Sequence, residues 1–307
     1  MKVLVISGGG CKGAFGGGIA EYLINDCKKE YDLFVGTSVG SLLIPLFSIG
    51  EINKLKLLFS TITQSDIFNT CPFIIYKKDG VNKTRINHLG IVKSLFRGKK
   101  SFGESLNLRK LIQKTITECD FEKMLKNKPD VLITVSNLTT NTVEYKSLKE
   151  CTYPDFCDWI WASANLVPFM SLVTKDGYEY GDGGMGNIVP IYEALKRGAC
   201  EIDIILLNTE KNEVNKPPVR NALELTARSF DFMLNQIIID DIVIGMLEGM
   251  QRQVNLTFYR PPVKLTDNAL IFDRHQMKQW WIDGYLYAKN SPHDCKSIST
   301  AVKPVLN

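Results

Sequence analysis

Three glycine-flanked turns in this chain carry residues that could do chemistry together. The apolar run Lys2-Val-Leu-Val-Ile6 opens onto Gly8-Gly-Gly-Cys-Lys-Gly13. A glycine-rich turn after a strand leaves backbone N–H groups unpaired and open to close approach, and a helix beginning near Gly13 adds its positive dipole end. The amides of Gly8, Gly9, Gly10, Cys11, Lys12 and Gly13 are therefore candidates to stabilise a negatively charged oxygen. In Gly36-Thr-Ser-Val-Gly40 a serine sits between small residues at the G-x-S-x-G spacing. That spacing suits a strand-to-helix elbow, which has no room for Cβ atoms beside an exposed hydroxyl. Ser38 is the candidate nucleophile, with Gly36 and Gly40 shaping its elbow. In Gly181-Asp-Gly-Gly184 a carboxylate sits on a turn able to approach another backbone closely, which makes Asp182 the candidate proton acceptor and Gly183 and Gly184 its loop. An aspartate beside glycine is also a common turn former.

Each signal has a competing reading. Gly8, Gly10 and Gly13 satisfy G-x-G-x-x-G, the dinucleotide fingerprint. A dinucleotide unit would end its second strand in an acid for the ribose, whereas Tyr31-Asp-Leu-Phe-Val35 ends in Gly-Thr-Ser with Asp32 at the wrong end. The order Ser38, Asp182, His275 would match an α/β-hydrolase triad, but that fold places several strands before the elbow and here only one precedes it. The other histidines are His88 and His293.

These turns need a sheet to hold them. Strand 2–6, helix 13–29, strand 32–35, helix 39–49 and a helix near 51–60 alternate, and the later runs 131–135 and 202–207 look like buried strands. This is the rhythm of β-α units around a largely parallel sheet. Residues 141–146 alternate and could pair with 131–136, 178–180 form a short strand, and 221–253 and 274–289 carry helical spacing.

The interval 62–110 interrupts the rhythm as a basic insertion or lid. Residues 76–110 hold ten cations against Asp79 and Glu104, a local net of +8 in a chain of +4. Ile91, Val92, Leu95 and Phe96 fall on one helical face beside Lys93, Arg97, Lys99 and Lys100, an arrangement suited to an anionic lipid surface. The same charges also suit a solvated helix. No nucleic-acid-binding motif or interleaved aromatic platform accompanies them, so no nucleic acid partner is expected.

With 307 residues, 45% hydrophobic and 23% charged, the chain can bury one large core, read as a single domain over 1–307 with a helical part from 215 to 307. The first apolar run is too short for a signal peptide and no segment reaches membrane-spanning length, so a cytoplasmic, at most peripherally membrane-bound protein is expected. Eight cysteines without C-x-x-C spacing read as reduced, buried small hydrophobes, Cys11 among them as a loop filler.

Taken together, Gly8–Gly13, Gly36–Gly40 and Asp182-Gly-Gly184 resemble the patatin-like phospholipases: a glycine-rich oxyanion loop, a G-x-S-x-G elbow and a D-G-[GA] aspartate. Ala162-Ser-Ala-Asn-Leu-Val-Pro168 is similar to the segment that precedes the aspartate in that family, and Asn187-Ile-Val-Pro190 to the one after it. The resemblance covers roughly residues 1–210, with Lys12 standing where arginine is usual. It implies a three-layer α/β fold and a lipid acyl hydrolase of phospholipase A type. In that reading Ser38 attacks an ester of a phospholipid or lysophospholipid, Asp182 takes its proton, the 8–13 loop holds the oxyanion, and neither metal nor cofactor is needed. An acyltransferase on the same site, or a non-catalytic lipid-binding regulator, are the alternatives.

Overall fold

The computed structural model describes residues 1–78, 81–210 and 218–290. His293, Cys295, Asp79 and the side chains of Lys77, Lys78 and Lys83 lie outside the described residues. β1 (Lys2–Ile6) leads through the glycine turn into α1 (Gly13–Glu21), which continues as a π-helical stretch over Tyr22–Asp26. β2 (Leu33–Thr37) runs into α2 (Val39–Ser48), and α3 (Ile52–Thr61) follows. The interrupting interval contains α4 (Gln64–Ile67), the hairpin β3 (Phe73–Lys78) and β4 (Val81–Ile86), α5 (His88–Phe96) and the start of α6 (Leu106–Thr115). α7 (Glu118–Lys126), β5 (Asp130–Asn137), β6 (Thr142–Ser147), α8 (Tyr153–Ser163), β7 (Val173–Lys175) and β8 (Tyr178–Asp182) come next. α9 (Ile191–Lys196), β9 (Glu201–Ile205), α10 (Ala222–Gln251), β10 (Asn255–Tyr259) and α11 (Arg274–Asn290) complete the described chain. The hairpin and the edge strand β10 were not legible as strands in the sequence.

The eight-stranded sheet has the order β10-β9-β1-β2-β5-β8-β7, with β6 also on β5. From β10 to β5 the strands are parallel, and β6, β7 and β8 run antiparallel to their neighbours. Parallel strands are buried on both faces, which is why their sequences read as continuous apolar runs. The two-residue period nevertheless divides them. Leu4, Ile6, Phe34 and Ile133 join one core with Phe15, Leu43, Ile160 and Trp281 from the helices, while Val3, Val5, Val35 and Leu132 join a second with Ile191 and Leu195. Helices thus cover both sides, giving the three-layer architecture.

One feature of the sheet positions the chemistry. β6 pairs with β5 over residues 132–137, occupying one edge of that strand. The other edge is shared: β2 pairs with it up to Thr37 opposite Thr134, and β8 takes over from Asp182 opposite Val135. β2 and β8 therefore meet end to end, running in opposite directions, and both finish at the same point on β5. Ser38 follows the end of one and Asp182 is the end of the other.

The C-terminal helix is built into the same body. Trp281 of α11 is fully buried against α1, and its indole N–H donates to the Glu21 carboxylate at 2.5 Å, which also accepts from Lys56 at 2.9 Å. Among the described residues, no helix is long and apolar enough to cross a membrane.

Candidate active site

The elbow between β2 and α2 holds Ser38 at φ 54° and ψ −121°, left-handed backbone that a non-glycine residue rarely adopts. Such strain costs of order 1–3 kcal/mol and persists only where the surroundings fix it. Here the Ser38 carbonyl accepts from the Ser41 N–H at 3.0 Å and its hydroxyl at 2.5 Å, and the Ser38 N–H donates to Ser163 Oγ at 3.0 Å. A Cβ on Gly40 would stand 2.2 Å from the Ile6 carbonyl oxygen, so α2 can start against β1 only with hydrogen at that position.

Asp182 ends β8 and is 4% exposed. Its N–H donates to the Asn165 carbonyl at 2.8 Å, and its Oδ1 accepts the Gly184 N–H at 2.7 Å. Burial pushes its carboxyl up to about 7, and hydrogen bonds from the Ser38 side chain and the Gly184 amide pull part of the way back. The two side chains that the sequence singled out for nucleophile and base therefore face each other. Ser163 and Asn165, which set their backbones, lie in the Ala162–Pro168 segment but were not themselves singled out.

The glycine turn lies beside this pair, with an ideal Cβ on Gly8 reaching 3.2 Å from Ser38 Cβ. Four of its six amides are already engaged. Gly8 donates to the Ile188 carbonyl at 3.2 Å, Cys11 to Ala269 at 2.8 Å and Lys12 to Gly9 at 3.2 Å, while the Gly13 amide bonds within the turn. Gly9 and Gly10 have no partner among the described residues. Gly10 sits at φ 56°, and a Cβ there would stand 2.1 Å from the Ala269 carbonyl oxygen, so both the backbone angle and the space demand glycine.

Ser38, Asp182 and the turn open onto a cavity of about 180 Å³. Most of its remaining lining is apolar, including Phe59 of α3, Leu108 and Ile112 of α6, Met170, and Leu234 and Ile238 of α10, with Asn208, Asp231 and Asn235 among the polar additions. His88 and His275 are exposed and absent from its lining. Among the described residues no group of three or more His, Cys, Asp or Glu side chains could hold a metal ion.

A family model described as patatin-like phospholipase matches residues 4–195. The chain belongs to this family. The family is described as one of phospholipases, which hydrolyse lipid esters. Among solved structures, that of VipD from Legionella pneumophila is similar at a TM-score of 0.50 and 15% identity, over 94% of this chain and 66% of that one. The chain thus spans about two thirds of VipD's length, and the likeness is one of fold. No curated protein matches.

The patatin-like match includes Ser38 and Asp182 and stops before α10, yet later residues complete the site: the Ala269 carbonyl holds the glycine turn, and α10 supplies a wall. The Lys12 side chain also lies at this site. The ammonium reaches the cavity and donates to the Asn208 amide oxygen, and burial pulls its pKa down to about 8. In the basic helix Ile91 is 3% exposed and packs inward, whereas Val92, Leu95 and Phe96 are exposed, Phe96 to 88%. Of the four cations there, Lys99 pairs with Glu104 at 2.8 Å and Lys100 with Glu179 at 2.9 Å. No ion pair involves Lys93 or Arg97 among the described contacts. Of the described cysteines, all free thiols, only Cys11 and Cys157 are fully buried, and Cys27, Cys119 and Cys200 are exposed. Small size lets a thiol sit at a helix end or turn as readily as in the core.

Proposed function

We propose that this chain is a phospholipase A type acyl hydrolase acting on phospholipids or lysophospholipids through a Ser38–Asp182 dyad. The observation that carries the reading is the buried Asp182 carboxyl, raised to about 7, bonded to a serine held in a strained elbow at the polar end of an apolar cavity. A base is most effective when its pKa lies near the working pH, and burial brings this carboxyl there without a histidine.

In this mechanism Ser38 Oγ attacks the ester carbonyl carbon and passes its proton to Asp182. The carbonyl oxygen becomes an oxyanion facing the Gly9 and Gly10 N–H groups, the two amides of the turn still free to donate. The tetrahedral intermediate collapses, the glyceryl alkoxide leaves with the proton from Asp182, and the acyl group stays on Ser38. Water, losing a proton to Asp182, then attacks the acyl-enzyme, and Ser38 regains a proton as the fatty acid departs. The acyl chain would occupy the space between α3, α6 and α10.

The exposed Val92, Leu95 and Phe96 beside Lys93 and Arg97 support peripheral contact with an anionic membrane, the phase in which such substrates reside. The deciding experiment is labelling by a fluorophosphonate probe with product analysis on mixed phospholipid vesicles. Wild-type protein should label at Ser38 and release fatty acid, and Ser38→Ala should do neither while folded. Fatty acid release by folded Ser38→Ala would refute the reading, and acyl transfer to an added alcohol in preference to water would turn it into a transferase.

A further inference from the structure

Asp241 lies in the middle of α10, beyond the family match, and is 8% exposed. Its carboxylate spans a short stretch of chain. Oδ1 accepts from Asn187 Nδ2 at 2.8 Å, and Oδ2 accepts the N–H groups of Ile188 at 2.7 Å and Val189 at 2.8 Å. A buried carboxylate receiving three donors is a firm attachment, because each donor would be left unsatisfied without it.

What it attaches to is the junction of the site. The Asn187 N–H donates to the Gly183 carbonyl at 2.9 Å, in the loop after Asp182. The Asn187 carbonyl accepts from Thr37 Oγ1 at 3.1 Å, next to Ser38. The Ile188 carbonyl accepts the Gly8 N–H at 3.2 Å, at the start of the glycine turn. One three-residue segment thus touches the aspartate loop, the nucleophile elbow and the oxyanion turn. The Asn187 side-chain amide and the Ile188 and Val189 N–H groups go to Asp241, and the Val189 carbonyl accepts the Ile191 N–H at 2.7 Å.

We propose that Asp241 is a positioning residue: through residues 187–189 its carboxylate fixes the spacing between the glycine-turn donors and the Ser38–Asp182 pair. The inference rests on the hydrolase reading above. It makes α10 more than a wall of the cavity, since the helix that contacts the acyl chain also holds the register of the reacting groups. Misplacement of oxyanion donors lowers the rate of the covalent step more than binding, because those bonds form fully only in the transition state.

The test is the concentration dependence of fluorophosphonate labelling at Ser38, in full-length wild-type protein and in Asp241→Asn, with each variant assayed well below its own melting temperature. Asparagine keeps the shape but replaces one acceptor oxygen by a donor, so at least one of the three bonds is lost. The maximal labelling rate should fall at least tenfold while the half-saturating probe concentration changes less than twofold, and kcat for a short soluble ester should fall in parallel with KM unchanged. An Asp241→Asn protein that is less stable yet labels at the wild-type maximal rate would show a purely structural role and overturn the proposal. If Asp241→Asn does not fold, Thr37→Val carries the test from the other side of the segment: a several-fold lower maximal rate supports the coupling, and an unchanged rate overturns it. Failure of wild-type Ser38 to label at all would instead bring down the hydrolase reading, and this inference with it.

Discussion

Replacing Asp182 by asparagine should abolish activity and stabilise the protein, and the second effect can be sized from the structure. Asparagine keeps an oxygen that can accept from Gly184 and Ser38 but cannot take a proton from the serine. General-base catalysis is worth about 10²–10⁴ in rate, and kcat/KM should fall by that factor or more. The carboxyl is raised from 3.8 to about 7 by burial. Between those values the folded protein keeps a proton that the unfolded chain has already released, so stability falls as pH rises through this window, and above about 7 the full cost is present. At 1.36 kcal/mol per pH unit, that cost is about 4 kcal/mol. Asp182→Asn has no proton to lose. Its stability in urea should therefore equal wild type below pH 4, gain steadily to about pH 7, and exceed wild type by up to about 4 kcal/mol at pH 8. The comparison between the two proteins isolates this group, which the pH profile of activity does not, because burial raises Asp241 to about 7 as well. Retained hydrolysis, or a stability difference independent of pH, would refute the assignment of Asp182 as a buried base.

Gly10→Ala should lower kcat on a soluble ester, by roughly 2.7–4 kcal/mol in barrier if one oxyanion donor is displaced, because the new Cβ would meet the Ala269 carbonyl; wild-type turnover in a folded variant would exclude Gly10 as a donor. His275→Ala should retain most activity, since the side chain is exposed and away from the cavity, and loss of labelling in this variant would bring back a triad. Neutralising Lys93 and Arg97 together should weaken sedimentation with anionic vesicles by roughly 1 kcal/mol per charge at low salt, with hydrolysis of a soluble ester unchanged. Neutralising Lys99 and Lys100 should cost less, because each already pairs with a carboxylate, and equal effects of the two pairs would count against the assignment of Lys93 and Arg97 as the contact.

The chain's local patterns carried much of this protein. The alternation of apolar runs with helical spacing specified β-α units, because a parallel strand must be apolar on both faces and its crossover helix on one. Ser38, Asp182 and the glycine turn were legible as candidates because tight turns of these kinds demand glycine at fixed offsets, and the family resemblance follows from the three turns in order. The tertiary structure decided what depends on distant parts meeting. Nothing in the local sequence says that β2 and β8 share one edge of β5, although this brings Ser38 to Asp182. That Gly9 and Gly10 are the open amides follows from carbonyls at Ile188 and Ala269, residues with no periodic or compositional signature. Asp241 reads in sequence as one more acid on a long helix beside Asp240. Its burial, and its hold on residues 187–189, exist only once α10 lies across the sheet, because hydrogen-bond partners some fifty residues apart are chosen by packing rather than by spacing along the chain.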